Sequence, residues 1–163
     1  MNKLHCLGLV IVAGMLAGCE QLPPEDVLIR NFRLHRQALD RLVGLAANDQ
    51  EYPRISAGPI PPTGMSTARF SQYSELFREA HVENGLNRYP AYPTAVFVIV
   101  DSEIPLGGKS RSEGYVFSQV PLTPLVANLH LPELPVETHH GSGHRIAFRL
   151  LDGGWYVFAD ADW

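Results

Sequence analysis

Past residue 19 the chain has no cysteine. Its two cysteines, Cys6 and Cys19, both lie within the first 19 of 163 residues, so the bulk of the protein can form no disulfide, hold no thiolate-ligated zinc and use no cysteine nucleophile. Its stability has to come from a packed core. Basic runs are missing too. Only Lys3 precedes Cys19, so residues 19–163 keep 12 of the 13 Lys and Arg and all 17 Asp and Glu, a formal charge of −5. An acidic chain without clustered Lys and Arg is a poor nucleic-acid binder, and no nucleic-acid partner is expected. Internal repeats and disorder-length low-complexity segments are absent. The longest early apolar run, Leu7 to Leu16, has ten residues, about half of what spans a bilayer.

What that run does have is company. Lys3 precedes it and the small residues Ala17 and Gly18 follow, which is the three-part layout of a secretory signal. The closing Leu16-Ala17-Gly18-Cys19 resembles the lipobox of bacterial lipoproteins. That resemblance covers residues 1–19 alone. It implies removal of residues 1–18, lipidation of Cys19 by diacylglycerol and an acyl chain such as palmitate, and attachment to the periplasmic face of the cell envelope. Two or more chains hold a protein firmly where one binds marginally, so the implied membrane partner is permanent. No polybasic patch is expected to supplement the lipid. Glu20, rather than Asp, follows Cys19, which under the enteric sorting rule points to the outer rather than the inner membrane.

Residues 19–24 then form a lipidated tether, and the five residues Glu20 to Pro24 reach on the order of 17 Å at most. The remaining 25–163 is the length of one domain. After Pro23-Pro24, Glu25-Asp26 open a helix, because acidic residues suit a helix N-terminus. Leu28, Phe32, His35, Leu39, Leu42 and Ala46 recur at helical spacing and predict a helix over 25–47. Four prolines and two glycines make 48–64 a loop. Ser66 is an N-cap flanked by the staple pair Met65 and Phe70, and the spacing of Phe70, Tyr73, Phe77 and Ala80 predicts a helix over 67–83 stopped by Asn84-Gly85.

The composition then changes. Ala95-Val96-Phe97-Val98-Ile99-Val100 is apolar without alternation, as in a strand buried on both faces. A Gly/Ser-rich loop over 102–113 leads to a strand at 115–119. A proline-rich crossing over 121–140 is expected to hold one helical turn at Leu125 to Leu129. Strands at 144–151 and 154–161 end the chain, joined at Asp152-Gly153. The expectation is α+β: two N-terminal helices packed on an antiparallel sheet of about four strands, ending in a C-terminal hairpin. A two-residue turn at Asp152-Gly153 sets Leu150 opposite Trp155, Phe148 opposite Val157 and Ile146 opposite Ala159 on a core face. The other face then carries Arg149 with Tyr156, Ala147 with Phe158, and Arg145 with Asp160.

Candidate chemistry is thin. His139, His140 and His144, with His130 or Glu137 nearby, have metal-ligand character. The glycines among them leave the ligand geometry unfixed, so the expectation is no metal and no cofactor. Ser142 sits two residues from His144 but lacks the Gly-x-Ser-x-Gly setting of a nucleophile. Asp160 and Asp162 alternate near a chain end and are expected to be solvated. His35 falls on the apolar stripe of the first helix and is expected as a core or boundary histidine rather than as a ligand. No catalytic residue emerges.

The reading that fits is a lipid-anchored, non-enzymatic periplasmic protein that binds a protein partner in the envelope, as an accessory factor or a periplasmic immunity protein. Arg145, Arg149, Tyr156 and Phe158 are the expected partner surface, since aromatics with Arg are enriched at interface hot spots. The alternatives are an envelope hydrolase, metal- or serine-dependent, built around His139, His140 and His144, and a structural envelope lipoprotein.

Overall fold

The computed structural model describes residues 24–103, 110–129 and 144–162. The first element among these residues is α1 (Glu25–Ala46). Pro24 supplies no side-chain cap, but its carbonyl accepts from the amides of Val27 at 2.9 Å and Leu28 at 3.2 Å, and Glu25 and Asp26 sit in the first turn. Leu28, Phe32, Leu39, Leu42 and Ala46 are buried as their spacing predicts. His35 departs from helical geometry (φ −113°, ψ 16°), and α1 kinks there.

Helix α2 (Thr67–Glu79) starts as expected: the Ser66 hydroxyl accepts from the Arg69 amide at 3.2 Å, and Met65 and Phe70 are both buried. It ends four residues earlier than the spacing predicts. His81 takes a left-handed conformation (φ 54°), and the Val82 amide donates back to the Phe77 carbonyl at 2.8 Å, the closure that satisfies a helix's last carbonyls.

The fold is α+β: the described residues form two helices on one antiparallel sheet of six strands that ends in a C-terminal hairpin. The strands are β1 (Arg54–Ile55), β2 (Gly85–Asn87), β3 (Ala95–Glu103), β4 (Arg111–Ser118), β5 (His144–Asp152) and β6 (Trp155–Asp162), in the order β1-β2-β3-β4-β6-β5. The two strands beyond the expected four are β1 and β2, of two and three residues, too short to show a period of two. Gly85, read above as a helix terminator, instead lets two backbones meet: at φ 97° a Cβ there would fall 2.1 Å from the Ile55 carbonyl oxygen. Strands β3 and β4 also run past the apolar residues, pairing Ser102 with Ser112 and Glu103 with Arg111 beyond a bulge between Ile99 and Asp101. That replaces both ends of the loop expected over 102–113.

One sheet face packs Val96, Val98, Tyr115, Trp155, Val157 and Ala159 against the helices. The opposite face gathers Phe97, Ile99, Val116, Ile146, Phe148, Tyr156 and Phe158, with Tyr89 and Tyr92 against them. Ala95 through Ile99 are buried throughout, as a run without polar alternation requires. The expected helical turn at Leu125–Leu129 is absent. Leu125 instead forms a parallel bridge with Phe148, where the Val126 amide donates to the Phe148 carbonyl at 2.9 Å and the Phe148 amide to that of Pro124 at 3.1 Å. This segment crosses the outer edge of β5, sending Leu122 to one core cluster and Leu129 to the other.

The hairpin register is one residue off the expected one. Its turn is Gly153-Gly154, at φ 56° and 84°, and a bulge between Leu150 and Asp152 takes up the extra residue. A type I′ turn needs positive φ at both central positions, and two glycines meet that better than Asp152 with Gly153. Phe148 therefore faces Phe158, Arg149 faces Val157, and Arg145 faces Ala161. A slip of one residue exchanges the two faces of a strand relative to its neighbour.

Candidate functional site

The first half of α1 does more than fill the core. Val27, Arg30, Asn31 and Leu34 recur on one helix face and form one wall of a groove of about 480 Å³. Its other walls come from His81 and Glu83 beyond α2, and from Val100 and Asp101 at the β3 bulge. Asn31 ties these elements together, its side-chain amide donating to the Ala80 carbonyl at 3.3 Å and to the Tyr115 hydroxyl at 3.1 Å. Tyr115 in turn donates to the Leu28 carbonyl at 2.9 Å. Burial pushes the Tyr115 hydroxyl up to about 12, against a smaller lowering by Asn31, so it acts here as a fixed neutral donor.

The two departures from regular backbone meet beside this groove. His35 at the α1 kink and His81 in its left-handed conformation bring their rings to 4.7 Å between centroids, inclined at 58°. Of the two, His81 holds the left-handed backbone that a non-glycine residue adopts at a cost, and such strain often marks a functional region. The groove thus combines apolar walls (Val27, Leu28, Leu34, Val100) with a cation, Arg30, and two carboxylates, Glu83 and Asp101. It can hold a segment that presents both apolar and charged groups. Among the described residues, no group of three or more His, Cys, Asp or Glu is placed to hold a metal ion.

No protein-family model, curated protein or solved structure matches the chain.

A second depression of about 380 Å³ lies at the other end of α1, against Val43, Ala47, Arg88, Val96 and Phe117. Its surroundings are built for rigidity. Asp49 accepts from the Tyr73 hydroxyl at 2.6 Å and from Arg69 Nε at 2.8 Å, while Arg69 also donates to the Leu45 carbonyl and Arg88 to that of Ala46. Burial by itself raises the Asp49 carboxyl. The hydrogen bonds from Arg69 and Tyr73 and the charges of Arg69 and Arg88 outweigh it, leaving the group below its ordinary value. This cluster locks the end of α1 to the start of α2.

Few of the residues singled out from sequence fall among the described ones. Cys19, His130, Glu137, His139, His140 and Ser142 lie outside the described residues, as do the side chains of His144 and Asp162. Asp160, expected in water, is buried on β6 opposite Ser112. His35 is half-buried, as a boundary residue should be.

The surface expected from Arg145, Arg149, Tyr156 and Phe158 does not assemble. Tyr156 and Phe158 are 5% and 0% exposed in the second core cluster, whereas Arg149 is on the helix side, bonded to Glu25. Strand alternation puts Arg145 on the Arg149 side. The shifted turn separates the four. The residues missed were Asn31, His81, Glu83, Val100 and Asp101. Only the α1 wall left a signal, as a second stripe beside the apolar one.

Proposed function

We propose that the protein is a lipid-anchored, non-enzymatic periplasmic protein that binds an envelope component through the groove between α1 and the β3 bulge. The anchor is Cys19, supported by the lipobox Leu16-Ala17-Gly18-Cys19 at the end of an apolar signal. The outer membrane is favoured because Glu20 follows it.

The observation that carries the binding reading is where the groove lies. Its wall begins at Val27, three residues after Pro24, so it sits where the tether enters the domain. A partner held there is held next to the membrane. The mixture of apolar walls with Arg30, Glu83 and Asp101 suits recognition of a protein segment, with charge for specificity and apolar contact for affinity.

The test has two parts. An alkynyl fatty acid supplied to cells should label the wild type and not Cys19→Ala. A photo-crosslinking residue at Glu83 should then give one discrete adduct in intact cells, lost on Asp101→Lys with the circular dichroism unchanged, while the same probe at exposed Arg54 gives none. Label retained by Cys19→Ala would refute the anchor, and equal adducts at both positions would refute the groove.

A further inference from the structure

The outer face of α1 carries something the core does not need. Leu34 is 73% exposed, and Arg30 and Arg33, its neighbours at i−4 and i−1, are exposed with it. Other arginines on the helix are engaged: Arg36 with Asp40 and Asp152, Arg41 with Glu79. Arg30 and Arg33 form no ion pair among the described residues. Gln37 extends the patch by a turn without adding charge. Asp26 lies one turn before Arg30 on α1, and Glu83 and Asp101 line the groove together with Arg30.

We infer that this face of α1 rests on the anionic phospholipid surface of the membrane that carries the anchor. Arg30 and Arg33 meet headgroup phosphates, and Leu34 enters the upper acyl region. The inference builds on the lipid-anchor reading. Three observations lead to it.

The first is chemical. Guanidinium groups beside an exposed leucine on one helix face fit an anionic interface, where the cations stay with phosphate and the apolar group goes below. The second is reach. Only Glu20 to Pro24 separate Cys19 from α1, so the first turn of the helix cannot leave the surface by more than about 17 Å. The third follows from the second. Tethering turns surface contact into an intramolecular event, so two arginines and one leucine suffice where a free protein would need a larger patch. Arg30 and Leu34 also form part of the α1 wall, so the groove then opens at the bilayer surface. Its partner would be a component of that surface.

The mature chain offers a clean probe. With Cys19 lipidated and Cys6 removed it has no thiol, so Gln37→Cys can be labelled alone with an environment-sensitive fluorophore. Full-length protein processed in cells is purified, labelled and reconstituted into phosphatidylcholine vesicles with or without phosphatidylglycerol. In the anionic vesicles we expect blue-shifted emission and quenching by a lipid-borne quencher. Both should fall to the phosphatidylcholine level in Arg30→Glu/Arg33→Glu, and a probe at Thr63→Cys, in the loop before α2, should stay in water.

If the parent chain without Gln37→Cys takes up the thiol label, Cys19 is free or Cys6 has been retained, and the anchor reading fails. If the parent is unlabelled and floats with the vesicles, yet the Gln37 probe is unchanged, the docking inference alone is overturned. A shift that appears without lipid as protein concentration rises also overturns it, making a second copy the occupant.

Discussion

The indole Nε1 of Trp155 donates to Asp40 Oδ1 at 2.8 Å, joining the largest fully buried side chain of the sheet to the outer edge of α1. Arg36 completes the arrangement, donating to the same carboxylate and lying 5.8 Å above the Trp155 ring. Trp155 opens β6 directly after the hairpin turn, so this bond fixes the middle of α1 over the start of that strand. Asp40→Ala would leave the buried indole N–H without an acceptor, an expected cost of about 1–3 kcal/mol. Asp40→Asn keeps an acceptor oxygen and should recover most of it, as urea denaturation of the two variants will measure.

Leu34 and Leu39 are five residues apart on α1 and should behave oppositely. Leu39 is 0% exposed in the main core cluster, whereas Leu34 is 73% exposed. Leu39→Ala should cost about 2–5 kcal/mol from lost transfer energy and cavity. Leu34→Ala should stay within about 0.5 kcal/mol. Denaturant midpoints that moved equally would show the packing of α1 to be wrong.

Phe158 offers the sharpest test of the hairpin register. Facing Phe148 and packed edge-on against Phe97 at 5.1 Å between centroids, it is core, and Phe158→Ala should cost about 3–5 kcal/mol. Combined with Tyr156→Ala it should unfold the domain as thoroughly as Trp155→Ala. A folded double variant would instead restore the register in which these rings form a surface.

Stability should depend on pH at both extremes. The hydroxyls of Tyr73 and Tyr115 are raised by burial above their ordinary value of 10.0, Tyr73 further by its bond to Asp49, and Tyr115 reaches about 12. A raised folded-state value means that the contribution is complete below pH 10 and is lost as pH climbs through about 12. Tyr115→Phe should flatten that alkaline limb in denaturation curves read with tyrosinate absorbance.

Asp49 works the other way. Its carboxyl is lowered from 3.8, so its contribution is present above that pH and falls away in more acid solution. Asp49→Asn should lower stability at neutral pH and reduce the acid dependence. An unchanged acid limb would mean that other carboxylates set it.

The local signals in this sequence were enough for the fold class and for both helix starts. The apolar stripe of α1, the Ser66 cap and the unbroken run Ala95–Val100 each act within a few residues, through helical periodicity, a side-chain hydrogen bond or two-sided burial. They need no distant partner. What local pattern could not determine was decided across the chain. Strands β1 and β2 exist because Gly85 admits the Ile55 carbonyl from 30 residues away. Helix α2 stops at Glu79, just before the Ala80 carbonyl that Asn31 of α1 reaches. The choice between Asp152-Gly153 and Gly153-Gly154 as the turn moved the register by one residue, burying Tyr156 and Phe158 and sending Arg149 to Glu25. The groove is the clearest case. Its walls come from residues 27–34, 81–83 and 100–101, three segments adjacent only once the helices lie on the sheet, so no spacing along the chain could have announced it.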